Sequence, residues 1–252
     1  MSDYSRQYLI YLIAETNNCS WNRHIIYKSY YRSLIGKDLK GLDLSNLDLN
    51  KINLSESNLT DAIFKGANLN GAILTGAILT GAVLKDTNLK GAILNEAILT
   101  GAILTGTTFK GAVLNGAILI GVDLSEMDLS GLGLNSVNLV RANLSNANLS
   151  NSKLNNASLN NANLIGTNLS SVDFRGANLT EANLREANLT NSNLSKTNLN
   201  RANLSSVDFR GADLTDATLI RADLTKANLT GVQLNKADLR GANLDGAVGL
   251  KL

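Results

Sequence analysis

Residues 62–91 read AIFKG ANLNG AILTG AILTG AVLKD TNLKG, and this stretch decides the fold. In each block of five the third residue is large and apolar, here Phe64, Leu69, Leu74, Leu79, Leu84 and Leu89. The first is small, as at Ala62, Ala67, Ala72 and Ala77. Working outward in both directions, a Leu or Phe stands at every fifth residue from Leu39 through Leu244 without insertion or deletion. A period of five fits neither the 3.6 of a helix nor a simple alternating strand, and helical winding would smear these leucines around the whole circumference. A three-residue extended segment does fit: its first and third side chains point one way and its middle one the other, so the small residue and the Leu face inward together. The two remaining residues are Gly, Asn, Ser, Thr, Asp or Lys and turn a corner.

The number of sides per coil is written in the outward middle positions. From Ile63 to Ile118 they run Ile, Asn, Ile, Ile, Val, Asn, Ile, Ile, Ile, Thr, Val, Ile. Asn68, Asn88 and Thr108 recur twenty residues apart, so a four-sided coil stacks them in one column and places each Ile/Val series in its own. A duplicated twenty-residue unit gives the same pattern, and it too is accommodated best as a whole coil. The glycines at the corners, Gly66, Gly71, Gly76, Gly81 and Gly91, suggest type II turns, whereas Arg141, Glu181, Lys196, Arg201 and Arg221 suggest type I.

Repeats such as Ala177–Glu181 (ANLTE) and Ala222–Lys226 (ADLTK) resemble the pentapeptide repeat family, and the long uninterrupted array resembles its cyanobacterial members. The resemblance implies an all-β solenoid, a right-handed quadrilateral β-helix; the array length makes it about ten coils, to which the sequence adds a small N-terminal α-helical cap. The expected organisation is a cap over 1–36, a β-helix over 37–246 and a tail over 247–252.

The cap is expected because an open solenoid end exposes unpaired backbone and apolar core. Residues 1–36 hold all six tyrosines, the single Trp21 and the single His24. Two helices fit, about Asp3 to Glu15 and Trp21 to Leu34, with Ser20 as cap and Gly36 as stop, folding over Leu42, Leu47 and Ile52. Leu250 and Leu252 either fold over the last coil or leave it to pair with another copy, so a monomer and an end-to-end homodimer through the C-terminal coil both stay open. Val122, Met127, Leu132 and Val137 stand where alanine is usual, so the coil is expected to swell there, with distortion around Gly131–Gly133.

The chemistry-bearing residues are few. His24 is the only imidazole and Cys19 the only thiol, so neither a Cys/His metal cluster nor a catalytic triad across the repeats can be assembled, and catalytic, metal and cofactor residues are all expected to be none. Asp43 with Asp48, and Asp123 with Asp128, diverge around corners as solvated carboxylates. The apolar run Tyr8–Ala14 is too short to span a bilayer and lacks a cleavage site, so the expectation is a cytoplasmic protein without membrane partners.

Net charge is +2 from 23 basic and 21 acidic residues, which offers no global field to attract nucleic acid. Some members of the family resembled mimic DNA and interact with gyrase, but they do so as acidic rods. Residues 131–252 here carry 12 basic and 9 acidic side chains, which disfavours that reading. A non-enzymatic scaffold for an unknown protein partner is the preferred function, with DNA mimicry and a passive structural rod as alternatives. The candidate contact residues are Ile73, Ile78, Ile93, Ile98, Val113 and Ile118 on outward positions, extended at one corner by Ile120 and Val140. The competing reading is that these β-branched stacks only stabilise the coils.

Overall fold

A computed structural model describes residues 33–250. The chain divides into two compact units, Met1–Ala117 and Ile118–Leu252, and the five-residue pattern runs through both. In the first unit, parallel bridges join residues twenty apart from Ser33 with Asn53 through Ile93 with Val113. In the second they run from Ile118 with Asn138 through Asn228 with Val248. Four successive bridges precede each return to the same column, so each unit is a four-sided parallel coil.

Three backbone hydrogen bonds tie each side to the next coil. At one step Leu39 N–H donates to the Asn58 carbonyl at 2.8 Å, Gly41 N–H to the Thr60 carbonyl at 2.8 Å and Ile63 N–H to the Leu42 carbonyl at 2.8 Å. A fourth closes almost every corner, as Ala62 N–H to the Leu59 carbonyl at 3.0 Å. These bonds are why a strand only three residues long persists: its polar backbone is satisfied above and below.

The core follows the five-residue pattern. Leu54, Leu74, Phe64, Phe174 and Phe209 are fully buried, and the alanines beside them are buried too. Where the small position carries a hydroxyl, the hydroxyl finds a partner inside. Ser57, Ser152 and Ser192 donate to the carbonyl three residues before, each at 2.6 Å. Thr87, Thr167 and Thr197 donate instead to the carbonyl twenty-three residues before, at 2.7, 2.8 and 2.9 Å. These hydroxyls therefore carry no uncompensated desolvation penalty.

Two expectations need correction, and a third is narrowed. The second helix, expected to reach Leu34, cannot do so. Ser33 bridges Asn53, and Leu34 N–H donates to the Asn53 carbonyl at 2.7 Å, so the β-ladder begins before residue 37. The rest of the expected cap lies outside the described residues, among which there is no helix. At the other end the ladder reaches Val248, past the expected limit at 246.

Next, the corners do not divide into two turn types. Arg141, Glu181, Lys196, Arg201 and Arg221 all have φ between 58° and 61°, beside 64° to 67° for Gly66, Gly71, Gly76, Gly81 and Gly91. The left-handed conformation costs a non-glycine residue about 1–2 kcal/mol, yet it aims the residue's amide along the coil axis. Lys196 N–H thereby donates to the Thr215 carbonyl at 2.9 Å. The ladder bond, not the residue type, sets the turn. Glycine answers a second demand in some columns: a Cβ on Gly81 would stand 2.5 Å from the Asp61 Oδ1 of the coil before.

At the enlarged coil the expected distortion around Gly131–Gly133 is confined to one corner. Large side chains at small positions stretch the corner bonds, to 3.3 Å at Val122 and 3.4 Å at Met127, as they do to 3.5 Å at Leu47. Gly131–Gly133 is otherwise ordinary: Gly133 bridges Lys153, Leu134 N–H donates to the Lys153 carbonyl at 2.8 Å, and only the corner bond at Leu132 is missing. The extra volume is absorbed by opening one turn while the ladder is kept. The coil shares its features with the first coil of the other unit, where Leu42, Leu47 and Ile52 take small positions and Asp43 and Asp48 face outward, as Asp123 and Asp128 do here.

Outward asparagines do more than face water. Asn148 Oδ1 accepts the Ser150 N–H at 3.2 Å and the Asn168 Nδ2 at 3.0 Å, while its own Nδ2 donates to Asp128 at 3.1 Å. Each such residue fastens its own corner and one coil to the next. Asp128 and Asp123 accept at the foot of these columns, as Asp38 and Asp48 do in the first unit. Asn148→Ala is expected to cost about 1–2 kcal/mol by removing these bonds at once, measured as a shift in the urea midpoint.

Candidate functional site

The outward residues of the first unit sort into four sides. The first carries Asn53, Ile73, Ile93 and Val113, the second Asn58, Ile78 and Ile98, the third Ile63, Val83 and Ile103, and the fourth Asn68, Asn88 and Thr108. The β-branched side chains along each of the first three sides are bridged neighbours about 4.8 Å apart. Ile78 and Ile93 are 38% and 37% exposed, while Ile73, Ile98 and Val113 are half-buried by their column neighbours.

The three apolar sides are not equivalent, because the corners between them differ in charge. The third and fourth sides meet at Lys65, Lys85 and Asp86, and the fourth leads into the first through Lys90 and Lys110. The corner between the first and second sides carries Thr75, Gly76, Asn95, Glu96, Asn115 and Gly116, preceded by Ser55 and Glu56. Beyond the second side stand Thr60, Asp61, Thr80, Gly81, Thr100 and Gly101. From Asn58 upward the second side alone has no lysine at either border; Lys40 lies at its foot, two coils below Ile78. A partner covering Ile78 and Ile98 desolvates β-branched carbon and short neutral side chains, with no long cationic stem to displace.

The candidate residues therefore separate. Ile73, Ile93 and Val113 form one column and Ile78 and Ile98 the next, across one corner. Ile118, Ile120 and Val140 belong to the second unit, where Ile118 bridges Asn138 and Gly121 N–H donates to the Val140 carbonyl at 2.9 Å. Ile120 and Val140 are thus successive rungs of one corner. Sequence reasoning left Ile103 out of the contact set, although at 49% it is more exposed than Ile78 or Ile93. Its place in the same outward series was the signal that could have found it.

Several carboxylates are held by their own corners. The Ser45 hydroxyl, and then its amide, hold the Asp43 carboxyl below the usual aspartate range, and Ser125 does the same for Asp123. Arg210 lowers Asp208 through its side chain, the two meeting at 2.7 Å. For Asp173 burial acts upward and is the largest single influence, but the Arg175 guanidinium and amide, with Asn155, together outweigh it. These four groups stay ionised at neutral pH and fasten corners, which leaves none of them poised to give up a proton there. Among the described residues no group of three His, Cys, Asp or Glu is placed to hold a metal ion, and no helix is long and apolar enough to cross a membrane.

A parallel coil of four three-residue sides, with Leu or Phe inside and a left-handed residue at every corner, defines a quadrilateral β-helix made of five-residue units. The chain belongs to the pentapeptide repeat family, whose sequence profile matches residues 38–76, 77–116, 107–146, 142–181, 182–219 and 212–248. Members of this family form right-handed quadrilateral β-helices. Among solved structures the chain is similar to HetL, a pentapeptide repeat protein involved in heterocyst differentiation regulation from the cyanobacterium Nostoc sp. strain PCC 7120. That match has 30% identity and a TM-score of 0.51, covering 92% of this chain and 100% of HetL. Rfr23 from the cyanobacterium Cyanothece 51142 matches at 32% identity and a TM-score of 0.36 over 52% of this chain and 90% of its own. QnrB1, a plasmid-mediated fluoroquinolone resistance protein, matches at 18% identity and a TM-score of 0.32 over 86% and 90%. No curated protein matches the chain.

Proposed function

We propose that the protein is a non-enzymatic interaction scaffold that docks a protein partner on the second side of its first unit. The observation that carries this reading is the pair of β-branched rungs Ile78 and Ile98, bordered on both corners by Thr, Asn, Gly and isolated acids. Large contiguous apolar patches are rare on soluble surfaces and mark interaction sites. Similarity to HetL over its whole length supports a regulatory interaction over a catalytic role. The near-neutral charge argues against DNA mimicry. Ile78→Lys combined with Ile98→Lys is expected to abolish capture of a partner from native lysate while the circular dichroism spectrum and melting temperature stay near those of the parent. A melting temperature that falls sharply, with capture unchanged, would show that the isoleucines serve only the coil.

A further inference from the structure

One corner of the second unit has a character that the apolar sides do not share. Its column of left-handed residues reads Glu181, Arg201, Arg221 and Gly241, each one coil above the last. Arg201 Nη1 holds Glu181 Oε1 at 3.2 Å. Arg221 stands directly above Arg201, and its Cγ lies 3.4 Å from where a Cβ on Gly241 would be. Like charges on adjacent rungs repel, yet no carboxylate meets Arg221 among the described residues. Arg175, Arg185, Arg210 and Arg240 each hold one nearby. Arg141 is the other described arginine without one, and it stands two coils below Glu181.

Beside Arg221 the surface is hollowed. A cavity of about 390 Å³ is lined by Thr180, Asn198, Asn200, Arg201, Ile220 and Arg221. The hydrogen bonding around it engages the amide oxygens and leaves donors free. Asn200 Oδ1 accepts the Ile220 N–H at 2.8 Å, and Asn198 Oδ1 accepts the Asn200 N–H at 3.0 Å and the Thr218 hydroxyl at 3.3 Å. The Nδ2 groups of both asparagines and the Arg221 guanidinium remain to donate. A concave site whose open side-chain amides and guanidiniums are donors matches the acceptor-only oxygens and negative charge of a phosphoryl group.

We propose that the corner cavity bounded by Arg201 and Arg221 binds a phosphomonoester dianion, with Arg221 as the principal charge partner and Asn198 and Asn200 completing the donor set. The site is independent of the apolar sides of the first unit, so the scaffold reading and this one stand or fall separately. The same chemistry is offered by a phosphorylated side chain of a partner and by a small phosphorylated molecule.

Calorimetric titration of the full chain with inorganic phosphate, O-phosphoserine, and a phosphoserine peptide beside its unphosphorylated form distinguishes these sources. Saturable binding of the phosphorylated probes at one site per chain is expected, weakened about tenfold or more by Arg221→Ala and by Asn200→Ala. The control Arg141→Ala, in the same column but away from the cavity, is expected to change nothing. Tighter binding of the phosphopeptide than of O-phosphoserine assigns the ligand to a partner protein, and equal binding assigns it to a small molecule. Absence of saturable binding overturns the proposal. So does an equal loss in Arg141→Ala, which would reveal diffuse attraction, or retention of full affinity by Arg221→Ala with an unchanged melting curve.

Discussion

Phe174→Ala is expected to lower the unfolding free energy by about 3–5 kcal/mol, because the ring is removed from a bore that cannot collapse around the gap. Phe174 is fully buried. Both polar groups of its backbone are tied to the coil above: its amide donates to the Asn193 carbonyl at 2.8 Å, and its carbonyl accepts the Thr197 hydroxyl at 2.9 Å. The surrounding coils are held apart by these bonds, so relaxation into the cavity would break the ladder. Phe174→Leu, by contrast, places at this centre the residue that fills nearly every other one, and a cost below about 1.5 kcal/mol is expected. Urea titration followed by circular dichroism separates the two variants. A loss for the alanine variant within the roughly 0.5 kcal/mol of an ordinary surface substitution would mean that stacking in the bore is not what holds the coils.

A complementary pair tests the small positions. Ala182 is fully buried, and its corner bond to the Leu179 carbonyl is 3.0 Å. Ala182→Leu is expected to cost about 1–3 kcal/mol through overpacking, and to open that corner as the corner at Leu132 is open. The reverse exchange, Leu132→Ala, is expected to cost about 2–5 kcal/mol, since Leu132 is 1% exposed and its coil is already built around the larger side chain. Both exchanges destabilise because each coil is fitted to its own contents. If Ala182→Leu proved neutral in the same titration, the bore would have spare room and the small residue would need another explanation.

The corners show where sequence reading stops. Glycine at Gly66 and Gly81 announces a left-handed residue, but Arg141 and Lys196 announce the opposite and adopt the same conformation, with φ of 58° and 61°. Local preference loses there because the amide of that residue is needed by the next coil, a demand invisible in any five-residue window. Outward asparagine is a similar case. Its polarity is legible, whereas its engagement with Ser150, Asn168 and Asp128 at Asn148 appears only once the coils are stacked.

For the contact surface, twenty-residue spacing was enough to place Ile73, Ile93 and Val113 in one column and Ile78 and Ile98 in the next. Choosing between sides required knowing which corners share a border. Lys85 lies only seven residues from Ile78 in sequence, yet with Lys65 it stands at the far border of the third side and leaves the second side untouched. The cavity beside Arg221 was not legible at all, because Thr180, Asn198 and Ile220 come together only when successive coils are stacked.

By itself the sequence determined the five-residue repeat, the inward leucines and the four sides of the coil, because side-chain alternation and a fixed period leave one way to bury those leucines. Only the tertiary structure decided the uniform left-handed corners and the bridge at Ser33, since each depends on hydrogen bonds between residues about twenty positions apart rather than on neighbours in the chain.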